Sequence, residues 1–283
     1  MEDKSNNKQL ERINELEAKV EESAQQIALL SCKLLEAESQ RSSFLSHILN
    51  EINNPLTSIL GLTNNIRRMA YSSPESVHKQ ANLAYEQAYE LDYKMRNVFA
   101  AAAIEAGTAT VRLGKVDVSE MLEGVIQDLH FKSSRKDLDV RVDKRMDTER
   151  HFGTDPSLLH AMLLNLIGNA IEFSPKGDSV KITLEAGGMG ILFTIEDNGS
   201  GIDKNDQKLI FGRFKQLDEG VTKTHQGTGL GLSIVKEYTD LLGGTLDIIS
   251  EKGEGSIFIL ALPEIADHSE SFEEVSFGDE ELF

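Results

Sequence analysis

The segment Asn165-Leu166-Ile167-Gly168-Asn169-Ala170 is the one around which the second half of the chain is organised. It follows Asp155-Pro156, which predicts the start of a helix running to about Phe173, because aspartate caps the first amides and proline fits the first turn. The four-residue spacing places Asn165 and Asn169 on one face of that helix. Two neutral amides on one face can offer carbonyl oxygens to Mg²⁺ and N–H groups to phosphates. The segment therefore indicates a ligand-binding helix face.

Three more clusters follow, and each suits one part of a nucleotide. Asp197-Asn198-Gly199-Ser200-Gly201 comes after a predicted strand. Its carboxylate can accept a hydrogen bond from an exocyclic amine, and its glycines let the backbone approach a flat ring. Phe211-Gly212-Arg213-Phe214 supplies two hydrophobic anchors. Gly227-Thr228-Gly229-Leu230-Gly231-Leu232 opens a predicted helix, so its amides and the positive helix end can meet phosphate oxygens. Each cluster alone is a weak signal, whereas the four in this order are a strong one.

The four clusters resemble the N, G1, F and G2 boxes of the ATP-binding domain shared by sensor histidine kinases, DNA gyrase, Hsp90 and MutL. The resemblance covers about residues 116–263 and implies a two-layer α/β sandwich of the Bergerat type. It implies that Asp197 reads adenine, that Asn169 holds Mg²⁺ with help from Asn165, and that a lid spans residues 204–228. The residues that it places at the nucleotide are Asn165, Asn169, Asp197, Gly199, Gly201, Phe211, Phe214, Gly227, Thr228, Gly229, Leu230 and Gly231.

Two positions depart from relatives within that group. Hydrolysing members carry a glutamate base where this chain has Asn165, so phosphoryl transfer to a protein group is a better interpretation than transfer to water. Kinases often carry lysine three residues after the second asparagine, where this chain has Glu172. A negative charge near a triphosphate should weaken binding, unless Glu172 points to solvent or lid cations compensate. Those cations are Lys208, Arg213, Lys215 and Lys223.

Upstream, residues 43–112 predict a helical hairpin. Its first helix contains Pro55, which predicts a kink because proline removes one backbone donor. Ser73-Pro74 predicts the start of a second helix, over about residues 75–106, which Gly107 ends. Two such hairpins from a homodimer would make a four-helix bundle. The inward-facing residues predicted for the second helix are Leu83, Leu91, Met95 and Val98.

The N-terminal segment, residues 1–42, carries a heptad repeat. One seam position is apolar over four heptads, and charged and amide side chains flank it; the seam residues are Ile13, Val20, Ile27 and Leu34. A repeat sustained over this length predicts a parallel coiled coil and hence a homodimer. The alternative is one long amphipathic helix that packs against a globular body.

The segment Phe44–Leu56 joins these regions and resembles the H-box of the sensor histidine kinases of two-component systems. In that family the acceptor is a histidine, and the neighbouring glutamate deprotonates and orients it. Here Asn50 stands at the acceptor position, next to Glu51. An amide nitrogen is a poor nucleophile because its lone pair is delocalised, so autophosphorylation is expected to be absent. His47 is about 5 Å, one full turn, away along a helix, whereas in-line transfer needs contact at roughly 3 to 3.5 Å.

The remainder of that motif is intact. Glu51-Ile52-Asn53-Asn54 fits the pattern with which family members dephosphorylate a response regulator, where Asn54 would position the attacking water. The resemblance therefore implies a response-regulator receiver domain as partner. The motif is intact except at Asn50. This pattern fits either an acceptor-null variant of a working kinase or a natural pseudokinase, and the sequence leaves both open.

The bulk composition argues against several other classes of protein. The 283 residues carry a net charge of −18 with a pI of about 4.8, which disfavours binding to nucleic acid or to an anionic membrane. Cys32 is the single cysteine, and no apolar run is long enough to span a bilayer. The tail, residues 265–283, has seven acidic residues and no Lys or Arg, which predicts disorder. The alternative is that its acidic and aromatic residues dock on a partner or fold back on the basic lid. A cytoplasmic protein is expected.

The sequence thus predicts an α+β protein with four parts: a coiled coil (1–42), a dimerisation hairpin (43–112), an ATP-binding domain (113–264) and an acidic tail (265–283). Its predicted function is that of a cytoplasmic histidine-kinase core that binds ATP and Mg²⁺ but does not phosphorylate itself. One alternative is a non-catalytic scaffold for a partner kinase or regulator, and another is a regulator phosphatase acting through Glu51 and Asn54. A gyrase-type hydrolysing ATPase is disfavoured by Asn165 and by the hairpin.

Overall fold

The structure, a computed structural model, describes residues 49–50, 52–68, 73–145, 151–187, 190–213 and 229–265. The predicted coiled coil and the acidic tail from residue 266 onward lie outside the described residues. So do several single residues named above: His47, Glu51, Phe214, Lys215, Lys223, Gly227 and Thr228. The chain divides into two compact units, Met1–Asn50 and Glu51–Phe283, and all but two of the described residues belong to the second.

Two helices begin the second unit. Helix α1 covers residues 52–68 and continues through Pro55, and residues 49–50 are also helical. Helix α2 runs over Pro74–Glu105, as Ser73-Pro74 predicts, with the Ser73 hydroxyl accepting a hydrogen bond from the Ser76 amide at 3.3 Å. Beyond α2, Gly107 adopts a φ of 65°, a left-handed conformation that favours glycine. Within the described ranges no helix has both the length and the apolarity to cross a bilayer.

A two-layer sandwich of helices and sheet follows. Its helices are α3 (Val118–Asp128), α4 (His130–Arg135), α5 (Pro156–Phe173) and α6 (Gly231–Leu241). Its strands are β1 (Gly114–Asp117), β2 (Asp139–Arg145), β3 (His151–Thr154), β4 (Ser179–Gly187), β5 (Gly190–Asp197), β6 (Thr245–Glu251) and β7 (Gly255–Pro263). The predicted α+β class is confirmed for this part of the chain.

The main sheet has five strands in the order β2-β4-β5-β7-β6. β2 and β4 run parallel, with Val140 opposite Val180, and the other neighbours are antiparallel. β1 and β3 form a separate antiparallel pair, with Val116 opposite Phe152. Strand β3 was not predicted from the sequence. The sequence pattern from Ser119 to Phe131 predicts one helix, whereas the structure has two helices there, α3 and α4.

The core lies between the main sheet and α3, α5 and α6. Alternate residues of β5 and β7 are buried, which is the period expected when one face of a sheet packs on helices. Helix α5 is buried on most of its surface, because the sheet lies on one side and α3 and α6 flank it. Each fully buried leucine or isoleucine of α5 contributes about 1.5–3 kcal/mol. The position of α5 is therefore strongly fixed, and α5 carries the two asparagines.

Candidate nucleotide site

Asp197 lies at the end of β5 and is 6% exposed. The backbone N–H of Gly199 donates a hydrogen bond to its Oδ1 atom at 2.8 Å. Burial raises the pKa of this carboxyl above its usual value, and backbone hydrogen bonds from Gly199 and Ser256 offset part of the rise. A buried carboxylate held by a tight turn can accept a hydrogen bond in one defined direction, as recognition of an exocyclic amine requires.

The glycines after Asp197 let the turn pack against the protein itself. A Cβ atom at Gly199 would lie 2.8 Å from the carbonyl oxygen of Phe173, at the end of α5. A Cβ atom at Gly201, which has a φ of 61°, would lie 1.8 Å from the carbonyl oxygen of Glu251. Neither position has space for a side chain. These contacts fix the turn between α5 and the β6–β7 connection, a reason for glycine that is additional to the expected approach to a ring.

Asn165 is buried, at 1% exposure, and its side chain contacts α2. Its Oδ1 atom accepts hydrogen bonds from the Tyr93 hydroxyl at 2.8 Å and from Nδ2 of Asn97 at 3.1 Å. Its Nδ2 atom donates to Oδ1 of Asn97 at 3.1 Å and to the carbonyl oxygen of Ala161 at 2.8 Å. We call Tyr93, Asn97 and Asn165 the amide clasp. It joins the helical hairpin to the centre of the sandwich.

Sequence reasoning identified Asn165 but missed its partners, Tyr93 and Asn97. Asn97 is itself only 5% exposed. Burial raises the pKa of Tyr93 to about 12, a hydrogen bond with Asn97 opposes this, and the charges of Glu90 and Glu172 add to it. The Tyr93 hydroxyl therefore remains a donor at neutral pH. The available signal was the spacing of Tyr93 and Asn97, which places both on one face of α2.

Ion pairs and aromatic contacts surround the amide clasp and join α2 to α4. Glu86 pairs with Arg135 at 2.8 Å, and Glu90 pairs with Lys132 at 2.8 Å. The Tyr89 ring packs edge-on against Phe131, with 5.5 Å between ring centroids. The Lys132 ammonium also lies 5.1 Å from the centre of the Tyr93 ring. The contact between α2 and α4 thus combines two ion pairs with aromatic packing.

The start of α6 packs directly on Asn165. A Cβ atom at Gly231 would lie 2.4 Å from Oδ1 of Asn165, so only glycine allows this approach. Gly229 has a φ of 67°, and Leu230 is fully buried. No side chain of the described residues caps the first amides of α6. The N and G2 clusters, which lie far apart in sequence, thus meet at a helix N-terminus that suits an anion.

Asn169 lies one turn after Asn165 on α5 and is partly exposed, as is Glu172. The end of this helix is held by Lys136, which the sequence reasoning did not identify. Its Nζ atom donates to the carbonyl oxygens of Ile171 at 3.2 Å and Ser174 at 3.1 Å, and also to that of Glu172. Lys136 therefore satisfies the last carbonyls of α5 and complements its negative end.

Residues 211–213 of the F cluster are described, and an ion pair connects them to α6. Phe211 is partly exposed, and Arg213, one of the proposed compensating cations, lies 3.5 Å from Glu237 of α6 in an ion pair. Gln207 donates to the carbonyl oxygens of Ile202 at 3.2 Å and Ser250 at 2.8 Å, which holds this segment on the sheet.

On the hairpin, Asn50 and Asn54 are both helical and exposed. The Ser58 hydroxyl of α1 donates a hydrogen bond to the backbone carbonyl oxygen of Asn54 at 3.1 Å. The amide side chain of Asn54 takes no part in that hydrogen bond. Because both side chains are exposed, a partner protein could reach them.

Comparison with known proteins shows what the sandwich is similar to. Residues 154–266 match the model of the family described as histidine kinase-, DNA gyrase B- and HSP90-like ATPase. This match supports the predicted resemblance of the sandwich to that type of ATP-binding domain.

Curated relatives are similar over most of this chain and are named histidine kinases. The circadian input-output histidine kinase CikA of Synechococcus elongatus is 28% identical over 254 residues, which are 88% of this chain and 33% of the relative. Hybrid signal transduction histidine kinase D of Dictyostelium discoideum is 28% identical over 276 residues, which are 96% of this chain and 18% of the relative. The chain thus spans a third or less of the length of these relatives.

Solved structures share the fold. Full-length ShkA in complex with AMPPNP aligns with a TM-score of 0.55 and 23% identity, covering 80% of this chain and 46% of that one. The Acinetobacter baumannii histidine kinase AdeS aligns with a TM-score of 0.52 and 22% identity, covering 76% of this chain and 97% of that one.

Proposed function

We propose that this chain is the core of a cytoplasmic sensor histidine kinase of a two-component system, which binds ATP–Mg²⁺ and acts on or with a response regulator. The observation that carries the proposal is the arrangement around α5, because the buried Asp197 turn and the start of α6 at Gly231 both pack against this helix. A carboxylate that can recognise a base and a helix N-terminus that can bind an anion, both packed against α5, are what a nucleotide requires. The family match over residues 154–266 supports it.

The residues present fit ATP and Mg²⁺. In the proposal, Asp197 accepts from the adenine amine, and Gly199 and Gly201 shape the turn beside it. The amides after Gly229 at the start of α6 bind phosphate oxygens. The partly exposed Asn169 offers its carbonyl oxygen to Mg²⁺. Phe211 and Leu230 are proposed to line the site, and the other predicted site residues, Phe214, Gly227 and Thr228, lie outside the described residues.

The proposal includes no autophosphorylation, because Asn50 stands at the acceptor position. When bound, ATP supplies a transferable phosphoryl group, and the chain lacks a nucleophile to receive it at this position. The exposure of Asn50 leaves room for the histidine that the motif expects.

The proposed partners are a second copy of the chain and a receiver domain. Apolar side chains on the hairpin are exposed in the single chain, among them Leu56 at 41%, Leu60 at 62% and Phe99 at 63%. The predicted inward residues Leu83, Leu91, Met95 and Val98 are only half-buried, which fits a surface that a second hairpin covers. A receiver partner is supported by the fold shared with histidine kinase ThkA, solved in complex with response regulator protein TrrA (TM-score 0.50).

The exposed side chain of Asn54 favours a second candidate activity, dephosphorylation of a response regulator. An exposed amide can orient water at the regulator's aspartyl phosphate, and this role does not need a phosphoacceptor. The proposed pair is Asn54 with Glu51.

Incubation with γ-labelled ATP and Mg²⁺ tests the kinase proposal, using the chain, Asn50→His, and Asn50→His combined with His47→Ala. We expect label in both Asn50→His proteins and none in the unaltered chain. Nucleotide binding without label in any protein would instead indicate a scaffold. Label on the unaltered chain would overturn the assignment of Asn50 and point to His47.

A phosphorylated receiver domain tests the second activity. Its phosphate should be lost faster in the presence of the chain, and Asn54→Ala should abolish the acceleration. Equal rates with and without the chain would exclude the phosphatase role.

A further inference from the structure

The amide clasp leaves Asn165 no hydrogen-bonding capacity for a ligand. An asparagine side chain offers two N–H donors and two acceptor lone pairs. Tyr93 and Asn97 occupy both lone pairs, while Asn97 and Ala161 take both donors. The side chain is also sealed from solvent at 1% exposure. Asn165 can therefore contact a phosphate or a metal's hydration shell only after α2 has moved away.

We infer that the amide clasp is an autoinhibitory contact, in which Tyr93 and Asn97 of α2 withhold Asn165 from the nucleotide until the hairpin shifts. The inference rests on the proposed function and names how that site is regulated. The hairpin and the site then compete for one side chain. By linkage, displacing α2 strengthens nucleotide binding, and nucleotide weakens the hold of the hairpin on the sandwich.

The composition of the contact suits a reversible element. Glu86–Arg135, Glu90–Lys132 and the clasp are polar pairs whose groups can bind water when separated. Exposing them costs less than exposing an apolar interface of the same size. Gly231 packs on Oδ1 of Asn165, so release of the clasp also frees the start of α6, where phosphates are proposed to bind. One movement of α2 thus changes two parts of the site.

The apparent affinity for nucleotide depends on the fraction of molecules in which α2 has moved away from Asn165. When only that fraction of molecules is competent, the apparent dissociation constant rises in inverse proportion to it. Weakening the clasp from the α2 side should therefore tighten Mg²⁺–AMPPNP binding by about five- to tenfold, which is within the usual range for coupling between two sites.

Calorimetry with Mg²⁺–AMPPNP on the full chain tests the inference with four single variants. Tyr93→Phe and Asn97→Ala weaken the clasp. Tyr85→Phe and Asn82→Ala make the same chemical changes at exposed positions of α2 and serve as matched controls. We expect tighter binding for the first pair and unchanged binding for the second. Tyr93→Phe removes only one hydroxyl, so it carries the test if Asn97→Ala does not fold.

A double-variant cycle separates the clasp from a general effect on α2. If Asn97 acts through Asn165, then Asn97→Ala should change the dissociation constant little when Asn165→Ala is already present. Equal or weaker binding by both Tyr93→Phe and Asn97→Ala would overturn the inference. The inference would also be overturned if Asn97→Ala tightened nucleotide binding by the same factor when Asn165→Ala is present. Failure of every protein, controls included, to bind nucleotide would instead overturn the proposed function.

Discussion

Asn97 and Asn165 exchange two side-chain hydrogen bonds of 3.1 Å each, although 68 residues separate them in the chain. The first amide belongs to the hairpin and the second to the helix at the centre of the sandwich. Two amides that face each other in this way satisfy a donor and an acceptor on both sides, so the pair can be buried at little cost. This pair links the part of the chain that resembles a phosphoacceptor domain to the part that resembles a nucleotide site.

Replacing Asp197 by Asn should weaken nucleotide binding while leaving the fold intact. The amide can still accept from the Gly199 N–H, but it lacks the charge that favours an exocyclic amine. We expect Mg²⁺–AMPPNP binding weaker by roughly 10- to 100-fold, since hydrogen bonds to charged groups contribute about 1.5–3 kcal/mol. Calorimetry measures the change, with Asp247→Asn on the exposed strand β6 as control. Equal affinities for the two variants would remove Asp197 from the site.

The raised pKa of Asp197 makes a prediction about pH. The carboxyl takes up a proton at a higher pH than an ordinary aspartate, so nucleotide binding should begin to weaken earlier as the pH falls. Proton uptake by Asp197 has the opposite effect on folding stability. Because the folded pKa lies above the unfolded one, proton uptake stabilises the fold below the unfolded pKa, and this stabilisation is lost as the pH rises through the folded pKa.

At pH 7 the ionised Asp197 therefore costs folding stability, and Asp197→Asn should unfold at the same or a higher urea concentration than the parent chain. The difference should shrink in acid. Urea titrations at several pH values check this, and a variant less stable than the parent at pH 7 would contradict it.

Lys136→Met should destabilise the sandwich. The methionine keeps most of the volume but leaves carbonyl oxygens at the end of α5 without their donor, at a cost of about 1–3 kcal/mol. Lys176→Met is the matched control, because Lys176 forms an exposed ion pair with Asp137 that should contribute less than about 1 kcal/mol. Urea unfolding followed by circular dichroism distinguishes the two. Equal losses would mean that Lys136 does not cap α5.

Gly231→Ala should destabilise the protein by about 1–3 kcal/mol, because the new methyl group overlaps Oδ1 of Asn165. Gly124→Ala in α3, where nothing lies within 4 Å of the added carbon, should instead gain about 0.5–1 kcal/mol. Thermal unfolding measures both. Asn165→Ala removes the overlapping atom, so it should recover part of the loss at Gly231. Additive losses would show that the two residues are not in contact.

The sequence by itself determined much of the fold and the main features of the candidate site. Local rules predict where helices begin at Ser73-Pro74 and Asp155-Pro156, because capping depends only on neighbouring residues. The alternation of side chains in β4 to β7 is local in the same sense. The order of the four clusters predicted a resemblance that the family match over residues 154–266 supports.

Only the tertiary structure decided which side chains meet. β3 has four residues and becomes a strand because β1 pairs with it. Lys136 caps α5, and Tyr93 and Asn97 close on Asn165, because packing brings together segments that lie 35 to 72 residues apart. No local pattern encodes such distant contacts, since they depend on how the amphipathic faces of separate helices come to rest on one core. The sequence thus predicts a nucleotide site, and the packing of α2 adds a contact that occupies one of its residues.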